Sequence, residues 1–137
     1  MDNIESAREW QKFANSDLGI AEHLSSTMWP VPIEGICYHC QQAAEKYLKA
    51  YLVLKGQTPP RTHDLNELLG RCSGIGDSFE QIADDCSQLI PYITMTRYPS
   101  DIELEISDVE LALKSARHIG DFVQGLAPEL LPKLDSD

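Results

Sequence analysis

Apolar residues recur along this chain with the 3.6-residue period of amphipathic helices, and no segment carries the two-residue alternation of a strand. The first pattern runs from about Ile4 to Ser26 and ends at MWPVP, whose prolines cannot continue a helix. The second runs from about Ile33 to Lys55, stops at Gly56 and leads into the proline-rich connector QTPPRTH. A short third covers Asp64 to Arg71, with Asp64 as the expected N-cap and Glu67 three residues on. A fourth spans about Ser78 to Ile90, opened by Asp77 and Glu80, and Pro91 is expected to kink or end it. After TRYPSD, Ser107 and Glu110 form a capping-box signature for a fifth helix that reaches about Leu126.

At 100° per residue, Ile33, Ile36, Cys40, Ala43, Ala44, Tyr47, Ala50, Tyr51 and Leu54 share one arc of the second helix. His39, Gln42, Lys46 and Lys49 fall on a separate polar stripe. In the fifth helix Val109, Ala112, Ala116, Ile119, Val123 and Leu126 line up in the same way. Small residues on both arcs permit close helix approach. The pattern predicts an all-α, up-and-down bundle of four to five antiparallel helices. It forms a single domain over residues 1–137, with its core at about 5–126 and a flexible tail at 127–137.

The first helix breaks its own pattern. Trp10, Phe13, Ala14, Ile20, Ala21 and Leu24 make its apolar arc, and Asp17 sits at the centre. An unpaired buried carboxylate costs several kcal/mol. Asp17 therefore needs a partner among His39, Lys46, Arg61, His63 and Arg97, or a place at a subunit interface. It reads either as a structural pin between helices or as part of a site.

Composition narrows the function. Of 137 residues, 42% are hydrophobic and 24% charged, and mean hydropathy is -0.28, a globular rather than membrane or disordered profile. No apolar run approaches the roughly 18 residues of a membrane span. The polar, acidic start MDNIESAREW is no secretory leader, so a cytoplasmic protein with reduced cysteines is the expectation. Net charge is -11, which disfavours nonspecific binding to a phosphate backbone. Residues 31–63, with four basic and two acidic side chains, are the exception, read either as a solvated helix face or as an anion-facing band.

Cys37-Tyr38-His39-Cys40 invites a metal or redox reading. A structural zinc needs four ligands, but Cys72 and Cys86 are isolated, and His63 and His118 have no ligand neighbour. A redox pair belongs at a helix start after a strand. Here the pair lies inside a helix, Cys40 on the apolar arc and Cys37 at its edge, so neither metal nor cofactor is expected. There is no Gly-x-Ser-x-Gly elbow, and GRCSGIGD lacks the lysine of a phosphate loop. Two connector clusters remain: RTHDL, with Arg61, His63 and Asp64, and TRYPSD, with Arg97, Tyr98 and Asp101. Each joins a guanidinium to groups that can orient it. Each also has a structural reading: Asp64 as a cap, Arg97 paired with Asp101, the Tyr98 ring packed.

The ordered set Trp10, Asp17-Leu18 and Ala21, then CQQAAEKYLKAYL, then RTHDL, then TRYPSD, resembles the HEPN domain family over about residues 5–126. The resemblance implies a small helical bundle, commonly dimeric, often encoded beside a minimal nucleotidyltransferase in toxin–antitoxin pairs. Other members are linked to nucleotide binding. Ribonuclease members carry an Arg followed after four to six residues by His. None of Arg8, Arg61, Arg71, Arg97 and Arg117 has a histidine at that spacing.

The expectation is a non-catalytic, homodimeric member that binds a nucleotide or RNA, or a nucleotidyltransferase partner. Arg61, His63, Arg97, Lys46 and Lys49 would hold phosphate oxygens, Tyr98 would stack a base, and His39 and Gln42 share the polar stripe. Asp17, Asp64 and Asp101 are the structural polar residues. One alternative is a divergent, metal-independent ribonuclease using His63 or His39 as acid–base. Another is an acidic protein that serves only to engage a basic partner.

Overall fold

The computed structural model describes residues 2–95 and 103–132, and among these every regular element is helical. The helices are α1 (Asn3–Thr27), α2 (Ile33–Leu54), α3 (Leu65–Ser73), α4 (Ala83–Leu89), α5 (Tyr92–Met95) and α6 (Ile106–Leu126). One 3-10 turn (Phe79–Ile82) precedes α4 and another (Pro128–Leu130) follows α6. Among the described residues no helix is long and apolar enough to cross a membrane.

The direction of packing follows from pairs of touching residues. Trp10 meets Lys49 and Asp17 meets Lys46 and His39, so α1 and α2 run antiparallel. Glu22–Arg117 and Asn15–Gln124 make α1 and α6 antiparallel, and Phe79–Phe122 with Asp85–His118 does the same for the α4 limb. The bundle is up-and-down, as expected. Its core is one contiguous cluster that draws on every helix from α1 to α6 and ends on Leu130.

α2 is the axis of this core. Ile36, Cys37, Cys40, Ala43, Ala44, Tyr47, Leu48, Ala50, Tyr51 and Leu52 are all buried, well beyond a single arc. Cys37, expected at the edge, is fully enclosed. Gly120 of α6 faces Tyr47, and a Cβ there would lie 2.8 Å from Cζ of a ring held by its hydroxyl on Asn15 Oδ1 at 2.6 Å. Gly120→Ala is therefore expected to cost roughly 1–3 kcal/mol by overpacking. Gly125→Ala, where a Cβ meets nothing within 4 Å, should be neutral or slightly stabilising. Urea unfolding of the two variants checks the contrast.

Four sequence expectations shift. In α1 the buried residues are Ala7, Gln11, Ala14, Asp17 and Ala21, whereas Phe13 and Ile20 are exposed. A stripe of small residues lets α1 lie close on α2, and that narrow gap leaves no room for the bulky side chains. The capping box of α6 is Glu105 with Asp108, not Ser107 with Glu110, since α6 already begins at Ile106. Asp77 and Glu80 do not open a helix. Ser78 adopts φ 69°, no side-chain cap forms, and the segment begins as the 3-10 turn. Finally, the chain stays packed beyond Leu126: Ala127 and Leu130 are buried and Arg8 Nε donates to the Glu129 carbonyl at 2.8 Å. The expected cap at Asp64 is present, its Oδ1 accepting from Asn66 N at 2.9 Å.

Candidate functional site

Two buried carboxylates organise the polar side of α2. Asp17 reaches across from α1 and accepts from His39 Nδ1 at 3.0 Å through Oδ1 and from Lys46 Nζ through Oδ2. His39 and Lys46 are seven residues, two helical turns, apart on one face of α2, which is why one side chain meets both. Asp17 thus has two of the partners that its apolar setting demanded.

The second carboxylate, Glu45, is on α2 itself. Its Oε2 accepts from Lys49 Nζ at 3.0 Å, one turn along, and its Oε1 accepts from His63 Nδ1 at 2.8 Å. Gln41 Nε2 donates to the His63 carbonyl at 3.1 Å, and Gln42 Nε2 donates to Gln41 Oε1 at 2.8 Å. Lys49 Nζ also lies 5.6 Å from the centroid of the Trp10 ring. The α2–α3 connector is therefore tied to the helix through both the main chain and the side chain of His63.

Each group has the same composition: a buried carboxylate, one lysine and one histidine held through Nδ1. A carboxylate only accepts, so Nδ1 carries a proton in both rings. Each lysine is matched by a carboxylate, and Lys49, expected on a solvated stripe, is buried. Its ammonium serves Glu45 before any ligand, because phase alone did not reveal that this side of α2 is covered. Arg61 is exposed and meets no carboxylate among the described residues. His63 is 57% exposed at the side chain while its partner Glu45 is 5% exposed. Arg97, Tyr98 and Asp101 lie outside the described residues.

A surface cavity of about 440 Å³ opens beside the connector, lined by His63, Asp64, Asn66, Ile90, Pro91 and Ile93. A second, of about 300 Å³, lies between α1 and the terminal 3-10 turn, next to Arg8, Gln11 and Leu130. The Gln11 carboxamide is buried, and among the described residues neither of its polar atoms has a hydrogen-bond partner.

The thiols are chemically quiet. Cys37, Cys40, Cys72 and Cys86 are free and buried, and burial pushes each up to about 12. A group protonated that strongly offers little thiolate near neutrality. Among the described residues no three His, Cys, Asp or Glu side chains could hold a metal ion.

Sequence reasoning found Asp17, His39, Lys46 and His63 but passed over Glu45 and Gln41. Glu45 and Lys49 carry the i,i+4 spacing of an ordinary surface pair.

Comparison with known proteins now bears on this geometry. A family model described as the HEPN domain matches residues 7–126. The crystal structure of TT1696 from Thermus thermophilus superposes with a TM-score of 0.73 at 28% identity, covering 87% of this chain and 96% of that one. That of ST0689, an archaeal HEPN homologue, superposes with a TM-score of 0.67 at 25% identity, covering 91% and 98%. A comparison with curated proteins returns no match.

Proposed function

The chain belongs to the HEPN domain family, and on that premise we propose that it is a non-catalytic, homodimeric binding member. It engages a nucleotide or RNA through the Arg61–His63 connector, or a minimal nucleotidyltransferase protein as half of a toxin–antitoxin-like pair. The observation that carries the ligand half is the pairing of an exposed Arg61, which meets no carboxylate among the described residues, with an imidazole anchored two residues later. Lys46, Lys49 and His39, already engaged by Asp17 and Glu45, support this face rather than supply its free cation. Arg97 and Tyr98 belong to the same reading on the strength of the sequence alone.

Calorimetric titration with ATP, GTP and short RNAs tests the ligand half. Binding of at least one, weakened about tenfold or more in Arg61→Ala, is the expected result for loss of a charge-assisted phosphate contact. Absence of heat with all of them removes it. Co-purification with a nucleotidyltransferase encoded alongside tests the partner half, and sedimentation velocity tests the homodimer.

A second reading has its own observation. In both Asp17–His39 and Glu45–His63 a buried carboxylate orients an imidazole, the arrangement a general base requires. A ribonuclease built this way cleaves RNA and loses that activity in His63→Ala. RNA left intact after long incubation sinks this alternative.

A further inference from the structure

Asp17, Gln41, Glu45 and Lys49 are buried polar side chains, and each is bonded to a neighbour. Gln11 of α1 is not. It is 2% exposed, and neither its Nε2 donor nor its Oε1 acceptor is answered among the described residues. A buried amide left so costs the desolvation of both ends, whereas a leucine of similar size would pack there without that penalty. The polar choice calls for a partner beyond the described residues.

Gln11 lines the cavity of about 300 Å³ between α1 and the terminal 3-10 turn. Leu130 and Pro132 give it an apolar wall, and Arg8, Glu9 and Lys12 bring charge. Arg8 is held through Nε on the Glu129 carbonyl, which leaves its Nη groups for a ligand. Lys12 is exposed and meets no carboxylate among the described residues. With Arg8 and Lys12 set against Glu9, the lining carries one net positive charge. A carboxamide offers a donor and an acceptor side by side, so its complement is an N–H next to an anionic oxygen. A phosphate or a simple carboxylate only accepts and leaves Oε1 unanswered. We propose that this cavity binds a small α-amino acid with an apolar side chain, free or N-acylated. Its N–H donates to Gln11 Oε1, and one carboxylate oxygen accepts from Nε2. The other oxygen meets Arg8 and Lys12, and the side chain lies against Leu130 and Pro132. Rotation about χ3, a broad torsion in glutamine, brings the amide edge to the space its own side chain lines. The site is separate from the Arg61–His63 connector and does not rest on the nucleotide reading.

Titration of the ¹⁵N-labelled full chain with leucine, N-acetylleucine, 4-methylpentanoate and inorganic phosphate tests the assignment. The Gln11 side-chain amide and the backbone amides of residues 8–12 and 129–131 are expected to shift. Leucine or N-acetylleucine should bind about tenfold more tightly than 4-methylpentanoate, which keeps the carboxylate and alkyl chain but has no N–H. Leucine as the tighter of the two identifies a free amino acid, and N-acetylleucine an acylated one. In Gln11→Leu that advantage disappears while the urea midpoint rises, because the unanswered amide is gone. Lys12→Ala, a change at an exposed position, keeps the fold and weakens both amino-acid probes about fivefold. Equal affinity for all three carboxylates, or phosphate bound as tightly, describes an anion site blind to nitrogen and overturns the proposal. Absence of shifts with every probe also overturns it and leaves the Gln11 amide to a trapped water. A lowered urea midpoint in Gln11→Leu makes the amide a structural contact, with the same consequence.

Discussion

Glu45→Ala is expected to lower folding stability by about 3–5 kcal/mol, read from urea unfolding followed by circular dichroism. The loss does not come from the glutamate's packing. Truncation leaves the Lys49 ammonium, 8% exposed at the side chain, without its counter-charge beside Trp10. It also removes the acceptor for His63 Nδ1. The double variant Glu45→Leu/Lys49→Met should recover most of the stability, because replacing both members of a buried ion pair with apolar residues of similar volume is often neutral or better. The recovered protein would still lack the group that orients His63. Restored folding without ligand binding is the expected signature of a network kept for its site. Restored folding with full binding would reduce Glu45 to a structural pin.

The second large effect is alkaline. Cys37, Cys40, Cys72 and Cys86 titrate near 9.0 in the unfolded chain and near 12 when folded, because burial disfavours the thiolate. Folded pKa values above unfolded ones place the stabilisation below pH 9 and remove it as pH rises toward 12, since the unfolded state then binds fewer protons. Each thiol contributes about 1.4 kcal/mol per pH unit in that window. Four together amount to roughly 5 kcal/mol by pH 10, comparable with the whole stability of a small domain. Burial also raises Tyr47 and Tyr92, the latter to about 12, which steepens the fall above pH 10. Urea unfolding between pH 7 and 10.5 should be nearly flat to about pH 7.5, fall with increasing steepness above that, and approach a slope of four protons. Each Cys→Ala variant should reduce the slope by one. A total slope below one proton would mean that the thiols reach solvent in the folded state.

How much of this was legible in the sequence depended on whether a residue's neighbours were local. The periods of α2 and α6 gave the bundle, and Asp64 announced its own cap, since those signals lie within one or two turns. Asp17 was legible for a different reason. A carboxylate in an apolar arc must be answered from elsewhere, and the set of possible answers was short enough to contain His39 and Lys46. Glu45 was not legible, because its burial is created by α1 on one side and the α2–α3 connector on the other. Nothing within four residues distinguishes it from a surface glutamate. The misplaced cap of α6 has a similar origin: Glu105–Asp108 and Ser107–Glu110 share one spacing, and the start of packing against the core chose between them. Phe13 and Ile20 fit the period of α1, but the close approach of α1 and α2 through Ala7, Ala14 and Ala21 left them outside.

These particulars redirect the chemistry on α2. The stripe that reads as four available polar groups is largely committed internally, with Lys46 and His39 on Asp17 and Lys49 on Glu45. What the helix offers outward is an imidazole it does not itself carry, His63, held at the lip of a cavity with Arg61 nearby in the chain.

Chemical-shift mapping tests that claim most directly. A ¹⁵N-labelled sample titrated with AMP should show amide shifts concentrated at residues 61–66 and 90–93, with the cavity near Arg8 and Gln11 unmoved and the nucleotide recovered intact. Shifts centred on α1 and the terminal 3-10 turn, or none at saturating nucleotide, would contradict the account.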